Sequence, residues 1–172
     1  MTGAQLLSDG PEELVAATGP GVTNGQIRAF DYDNGVITAI GAFNLIGSPY
    51  SVWMSGAEVD GDPFDEFLVS PGGGPGAGSV RGYNFDGTAV TAIAGLDFVP
   101  FTTTYGCYVS AGDMGTVFSE EIVCGAGPDP AAPSSVKTFT WSGSSVALMA
   151  GGSFTAFPVG AGATVGTGDF GF

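Results

Sequence analysis

Histidine is absent from the 172 residues, and only Arg28, Arg81 and Lys137 are basic. Without an imidazole there is no Ser-His-Asp or Cys-His pair and no His-bearing zinc site. Three cations against 17 acidic residues, a net charge of -14, leave no face for phosphates. Nucleic acid is therefore excluded as a partner, and anionic membrane surfaces are disfavoured. No apolar run approaches the roughly 18–20 residues of a membrane helix, so no membrane insertion is expected. Met1-Thr2-Gly3-Ala4-Gln5 lacks the basic and long apolar regions of a secretory signal, so export is not written in these residues.

Other chemistries are missing as well. Lys137 is the only lysine, and nothing places a serine nucleophile beside it. The glycine runs between Gly72 and Gly78 lack the Gly-Lys-Ser/Thr ending of a phosphate loop and read as turns. Paired carboxylates can run glycoside chemistry, but the clustered acids here fall into a metal-type loop or into turns. The chain is therefore not expected to be an enzyme.

What is present is 31 glycines, 11 prolines, 13 phenylalanines and a hydrophobic share of 44%. That is too apolar for a disordered acidic tail, so the chain is expected to fold. It is also a repeat with a period of about 55 residues. Glu13-Leu14-Val15, Glu66-Phe67-Leu68 and Glu121-Ile122-Val123 align, and six residues past each glutamate Gly19, Gly72 and Gly127 open Gly/Pro turns. Next come Ile27-Arg28, Val80-Arg81 and Val136-Lys137, so every basic residue occupies one repeat position. Those cations read either as ion-pair or carbonyl-capping groups on adjacent strands, or as a ring that binds an anion. A turn at Asp33-Asn34-Gly35, Asp86-Gly87 or Ser142-Gly143 then leads to Ile37-Thr38-Ala39-Ile40, Val90-Thr91-Ala92-Ile93 or Val146-Ala147-Leu148-Met149.

Before the glutamates, Val52 to Glu58 aligns with Cys107 to Asp113 and with Ala163 to Asp169. Glu13 has no such strand before it, and Gln5 to Pro11 reads as a polar turn. Runs of β-branched and aromatic residues punctuated by Asn-Gly, Asp-Gly and Ser-Gly predict antiparallel hairpins and no helices. In the middle unit the strands are predicted at about 51–57, 66–70, 79–84 and 88–94. Four-stranded units at this period are the signature of β-propeller blades, and abundant glycine suits strands converging on an axis. The expected fold is all-β: blade 1 at about 5–46 without its first strand, blade 2 at about 50–100, blade 3 at about 105–158, and 163–172 as a first strand donated to the incomplete blade.

Glu58, Asp60, Asp62 and Glu66 stand at positions 1, 3, 5 and 9 of a tight acidic turn, and the Phe64 carbonyl can fill position 7. Calcium is wrapped by short loops in this way, because it takes hard oxygen ligands and offsets the repulsion among clustered anions. The competing reading is an ordinary solvated turn.

The stretch Ala57-Glu58-Val59-Asp60-Gly61-Asp62, then Glu66-Phe67-Leu68-Val69, the Gly/Pro turn and Val80-Arg81-Gly82-Tyr83-Asn84-Phe85-Asp86-Gly87 resembles the FG-GAP repeat. That repeat is the integrin-type or VCBS propeller repeat, and the stretch is similar to its bacterial extracellular copies. The resemblance covers nearly the whole chain in three copies. It implies that the acidic loop joins the first and second strands of a blade and binds calcium through Glu58, Asp60, Asp62 and Glu66. It also implies an extracellular or cell-surface setting. The other copies depart from the pattern: Asp113 and Glu121, Asp9 and Glu13, and Asp169 before Gly171 are what remains of their loops, so one metal site is expected.

Propellers close with about four to eight blades, so three do not make a ring. The expected partner is a second copy, strand exchange giving a six-bladed homodimer. An open head-to-tail filament and a fragment of a longer propeller are the alternatives. Cys107 and Cys124 read either as a cross-strand disulfide or as two buried thiols. Function then divides between a structural or assembly protein and a lectin- or adhesin-like module binding a glycan or protein through Trp53, Tyr83, Tyr105 and Trp141.

Overall fold

Residues 2–7, 12–19, 21, 25–48, 50–72, 78–102, 105–114 and 120–167 are described by the structure, a computed structural model. They form twelve strands and no helix, in three four-stranded antiparallel sheets. The first sheet holds β1 (Thr2–Ala4), β2 (Glu13–Ala17), β3 (Gly25–Asp33) and β4 (Val36–Ile46) in that order. The second holds β5 (Val52–Ala57), β6 (Glu66–Pro71), β7 (Val80–Phe85) and β8 (Val90–Phe98). The third holds β9 (Cys107–Gly112), β10 (Glu121–Ala126), β11 (Ser134–Trp141) and β12 (Val146–Phe157).

Each sheet is a meander, its strands paired in chain order. Between β3 and β4 the turn residues Asn34 and Gly35 sit at φ 49° and 84°, the positive values that a two-residue hairpin with the strands' own twist demands. The repeat holds at the level of register: Leu14 faces Phe30, Phe67 faces Tyr83, and Ile122 faces Phe139.

One expectation is corrected. The first sheet has its own first strand, with Thr2 opposite Val15 and Ala4 opposite Glu13. Thr2-Gly3-Ala4 carries little strand propensity, but pairing here is set by the free edge of β2 and by burial of Ala4. Residues 163–167 lie along the third sheet of their own chain: the Ala163 N–H donates to the Ala126 carbonyl, and the Thr167 hydroxyl to the Ala111 carbonyl.

The sheets stack face to face. Val15, Ile27 and Ala29 of the first meet Val52, Phe67, Val69 and Phe85 of the second. Phe43, Phe67 and Phe85 form a triangle there with ring centroids 5.6–6.0 Å apart. The opposite face of the second sheet, with Leu68, Val80 and Leu96, meets Ile122, Cys124, Phe139 and Trp141 of the third. A smaller cluster joins Val123 and Val136 to Ala163 and Val165. The first strands of successive sheets run side by side, and Gly56 lies so close to Ala4 that a Cβ would clash. Thr2, Ser55 and Ser110, at one repeat position, line a cavity of about 430 Å³ together with residues 165–167.

Candidate metal centre

The acidic loop connects β5 to β6, so its two ends are fixed by the ladder that pairs Ala57 with Glu66. Within it the carboxylates fold back onto the backbone. Glu58 Oε1 accepts from the Asp60 and Gly61 N–H groups, Asp60 Oδ1 from Asp62 N–H, and Asp62 Oδ1 from Phe64 N–H. Asn84, across the sheet on β7, donates to Asp60 Oδ2 at 3.0 Å.

Glu58, Asp60 and Glu66 each bring a carboxylate oxygen within 4.8 Å of the others. Asp62 is not in that group and serves as the cap of Phe64 N–H. Of the five predicted ligands the structure therefore brings three together, and shows the fourth engaged with the loop backbone. Nothing distinguishes the Phe64 carbonyl as a ligand.

Glu66 is the decisive member. Its side chain is fully buried; Oε2 accepts from the Val59 N–H at 3.0 Å, while Oε1 is buried with no partner. Burial pushes its carboxyl up to about 8, and Asp60, Glu58 and Asp62 add to the rise. Glu58 is also pushed above the usual carboxylate range, first by burial. A buried orphan oxygen among like charges is costly unless a proton or a cation joins it. The donor set is all oxygen and hard, so it fits calcium, whose remaining positions water can fill.

Two features escaped the sequence reading. First, a buried glutamate opens the second strand of every sheet and holds the preceding loop: Glu13 accepts from Leu6 and Leu7 N–H, Glu66 from Val59, and Glu121 from Met114. The spacing of seven residues was visible, but its meaning was not. Second, the residue before that glutamate clasps the sheet ahead. Asp65 N–H donates to the Gln5 carbonyl while Gln5 N–H donates to Asp65 Oδ2. Likewise Glu120 N–H donates to the Glu58 carbonyl and Glu58 N–H to Glu120 Oε2. The candidate site is thus held at the joint between the second and third sheets.

In the other two units Asp9, Asp169 and Gly171 lie outside the described residues, as do 115–119 of the loop after Asp113. The repeat cations divide: Arg81 pairs with Asp97 at 3.1 Å, and Lys137 donates to the Pro100 carbonyl and sits 5.1 Å from the Phe101 ring centre. Arg28 is exposed on β3. For Arg81 and Lys137 this is the ion-pair and capping role, worth little at exposed sites.

The four aromatic candidates do not share one site. Trp141 is buried between the second and third sheets, and Tyr83 donates its hydroxyl to the Leu45 carbonyl. Trp53 and Tyr105 are exposed, Trp53 with its ring 4.5 Å from Tyr108.

The disulfide reading is corrected, because Cys107 and Cys124 are buried free thiols. Their strands place Cys107 opposite Ala126 and Cys124 opposite Val109, so the two are diagonal neighbours. They share a hydrogen bond that, with burial, pushes the Cys124 thiol up, and Cys107 also meets the Ser70 hydroxyl at 3.1 Å.

Among the described residues no helix is long and apolar enough to cross a membrane. No protein-family model, curated protein or solved structure matches the chain.

Proposed function

We propose that the chain is a non-catalytic, calcium-binding module of β-propeller type that works outside the cell or at its surface as a structural and assembly protein. The observation that carries the metal reading is Glu66 Oε1, buried without a partner in a carboxylate trio whose atoms lie within 4.8 Å. The resemblance to the FG-GAP repeat assigns calcium to the same loop. Three four-stranded antiparallel sheets with equivalent registers, stacked so that their first strands border one cavity, support the propeller reading. Calorimetric titration of the metal-stripped chain tests this: one calcium per chain supports it, and no heat of binding with calcium refutes it.

A second reading is a glycan- or protein-binding module. The exposed Trp53 ring beside Tyr108 is the feature that favours it, since an exposed aromatic pair offers a stacking surface. Glycan-array binding lost on Trp53→Ala would select this reading.

A further inference from the structure

Sheet-on-sheet packing occurs twice inside the chain with the same repeat positions. The forward halves are Phe67, Tyr83, Phe85 and Val90 of the second sheet and Ile122, Phe139, Trp141 and Val146 of the third. The cross-strand pairs Tyr32–Ile37, Phe85–Val90 and Trp141–Val146 are equivalent, so the same half exists a third time as Leu14, Phe30, Tyr32 and Ile37. Phe85 and Trp141 are 1% and 5% exposed, whereas Tyr32 and Ile37 are 54% and 61% exposed. An apolar surface that is interior in two units is open in the first.

The rearward half also exists a third time. Val15 and Ile27, then Leu68 and Val80, are fully buried by the sheet that follows, and their third counterparts are Val123 and Val136. Those two are covered by Ala163 and Val165, which repeat the places of Val52 and Met54. The backbone agrees, since Val52 N–H donates to the Thr18 carbonyl as Ala163 N–H donates to the Ala126 carbonyl at the equivalent register. Residues 163–167 are therefore the first-strand piece of a fourth forward half.

We propose that the open face of the first sheet docks on the rear face of the third sheet of a second copy of this chain. The argument is continuity with the interface already used twice: each copy carries an open forward half on its first sheet and, on its third, a rear half whose Val123 and Val136 already hold the first-strand piece of a forward half, so two copies satisfy both by a closed exchange. This rests on the assembly reading above and names its surface. Because residues 163–167 already hold the first-strand place, they pair with β2 of the incoming copy, and its Thr2–Ala4 gives way. In that arrangement Val165 comes opposite Ala16 and Gly166 opposite Val15 of the second copy.

The test is native mass spectrometry and sedimentation of the full chain, with calcium and with chelator. Wild type is expected at twice 17.1 kDa, and Tyr32→Asp with Ile37→Asp at 17.1 kDa with an unchanged circular dichroism spectrum. These side chains are exposed in the single chain, so its folding does not depend on them. A wild-type monomer at every concentration overturns both the surface and self-assembly. A dimer that survives the double substitution overturns the surface while leaving assembly standing. Strand replacement has its own readout: mixed Ala16→Cys and Val165→Cys chains should form a covalent pair under mild oxidation, and failure to cross-link overturns that part.

Discussion

Glu66 and Val59 are tied by one hydrogen bond of 3.0 Å, from the Val59 N–H to Oε2, while the other oxygen of the same carboxylate is buried without a partner. The first oxygen fixes the loop, as Glu13 and Glu121 do in their units. The second is left to whatever joins Glu58 and Asp60. A structural clasp needs only one acceptor, so the placement of the orphan is what supports the cation proposal for the second unit.

Asp60 and Asp62 are expected to separate. Asp60→Asn removes a member of the carboxylate trio and should weaken calcium binding more than tenfold, whereas Asp62→Asn removes a backbone cap and should weaken it only a few-fold. Calorimetric titration of both variants decides it. Equal losses would mean that both acids ligate.

The pH dependence follows from Glu66. Its folded-state carboxyl is raised from 4.5 to about 8, so its contribution to stability is full below 4.5 and is lost as pH rises through about 8. In chelator the melting temperature should therefore fall between about pH 5 and about pH 9, and calcium should remove most of that fall by replacing the proton. Glu66→Gln should flatten this part of the chelator profile. A wild-type profile already flat in chelator would show that the carboxylate is not strained.

Phe67 sits between Phe43 and Phe85 with no exposure. Phe67→Ala should cost about 3–5 kcal/mol in denaturant unfolding, against less than about 0.5 kcal/mol for Val99→Ala, whose side chain is exposed. Similar values for the two would contradict the packing of the first sheet on the second.

Gly125 of β10 passes so close to the Ala163 carbonyl that a Cβ cannot fit. Gly125→Ala should dislodge residues 163–167 and open them to limited proteolysis, while the two larger clusters between the sheets stay folded. Unchanged cleavage would mean that the segment is not seated there.

Much of this was legible in the residues, for identifiable reasons. The strands of the middle unit fall at Val52–Ala57, Glu66–Pro71, Val80–Phe85 and Val90–Phe98, because β-branched runs between Gly and Asp turns leave few other choices. The clustering of Glu58, Asp60 and Glu66 was readable because the spacing of acids along one short loop is a local property. What escaped depended on neighbours distant in sequence. Thr2-Gly3-Ala4 becomes a strand only because β2 offers an edge. Asp65 and Glu120 gain their partners, Gln5 and Glu58, only when the sheets stack. The diagonal setting of Cys107 and Cys124 follows from the β9–β10 register, which composition does not encode.

The most direct measurement is the melting temperature of the wild-type chain and of Glu66→Gln in chelator and in excess calcium. Calcium at about a hundred times its dissociation constant adds about 2.7 kcal/mol, which for a chain of this size raises the wild-type melting temperature by roughly 5–10 °C and leaves Glu66→Gln nearly unmoved. Superimposable wild-type curves with and without calcium would contradict a metal centre at Glu58, Asp60 and Glu66.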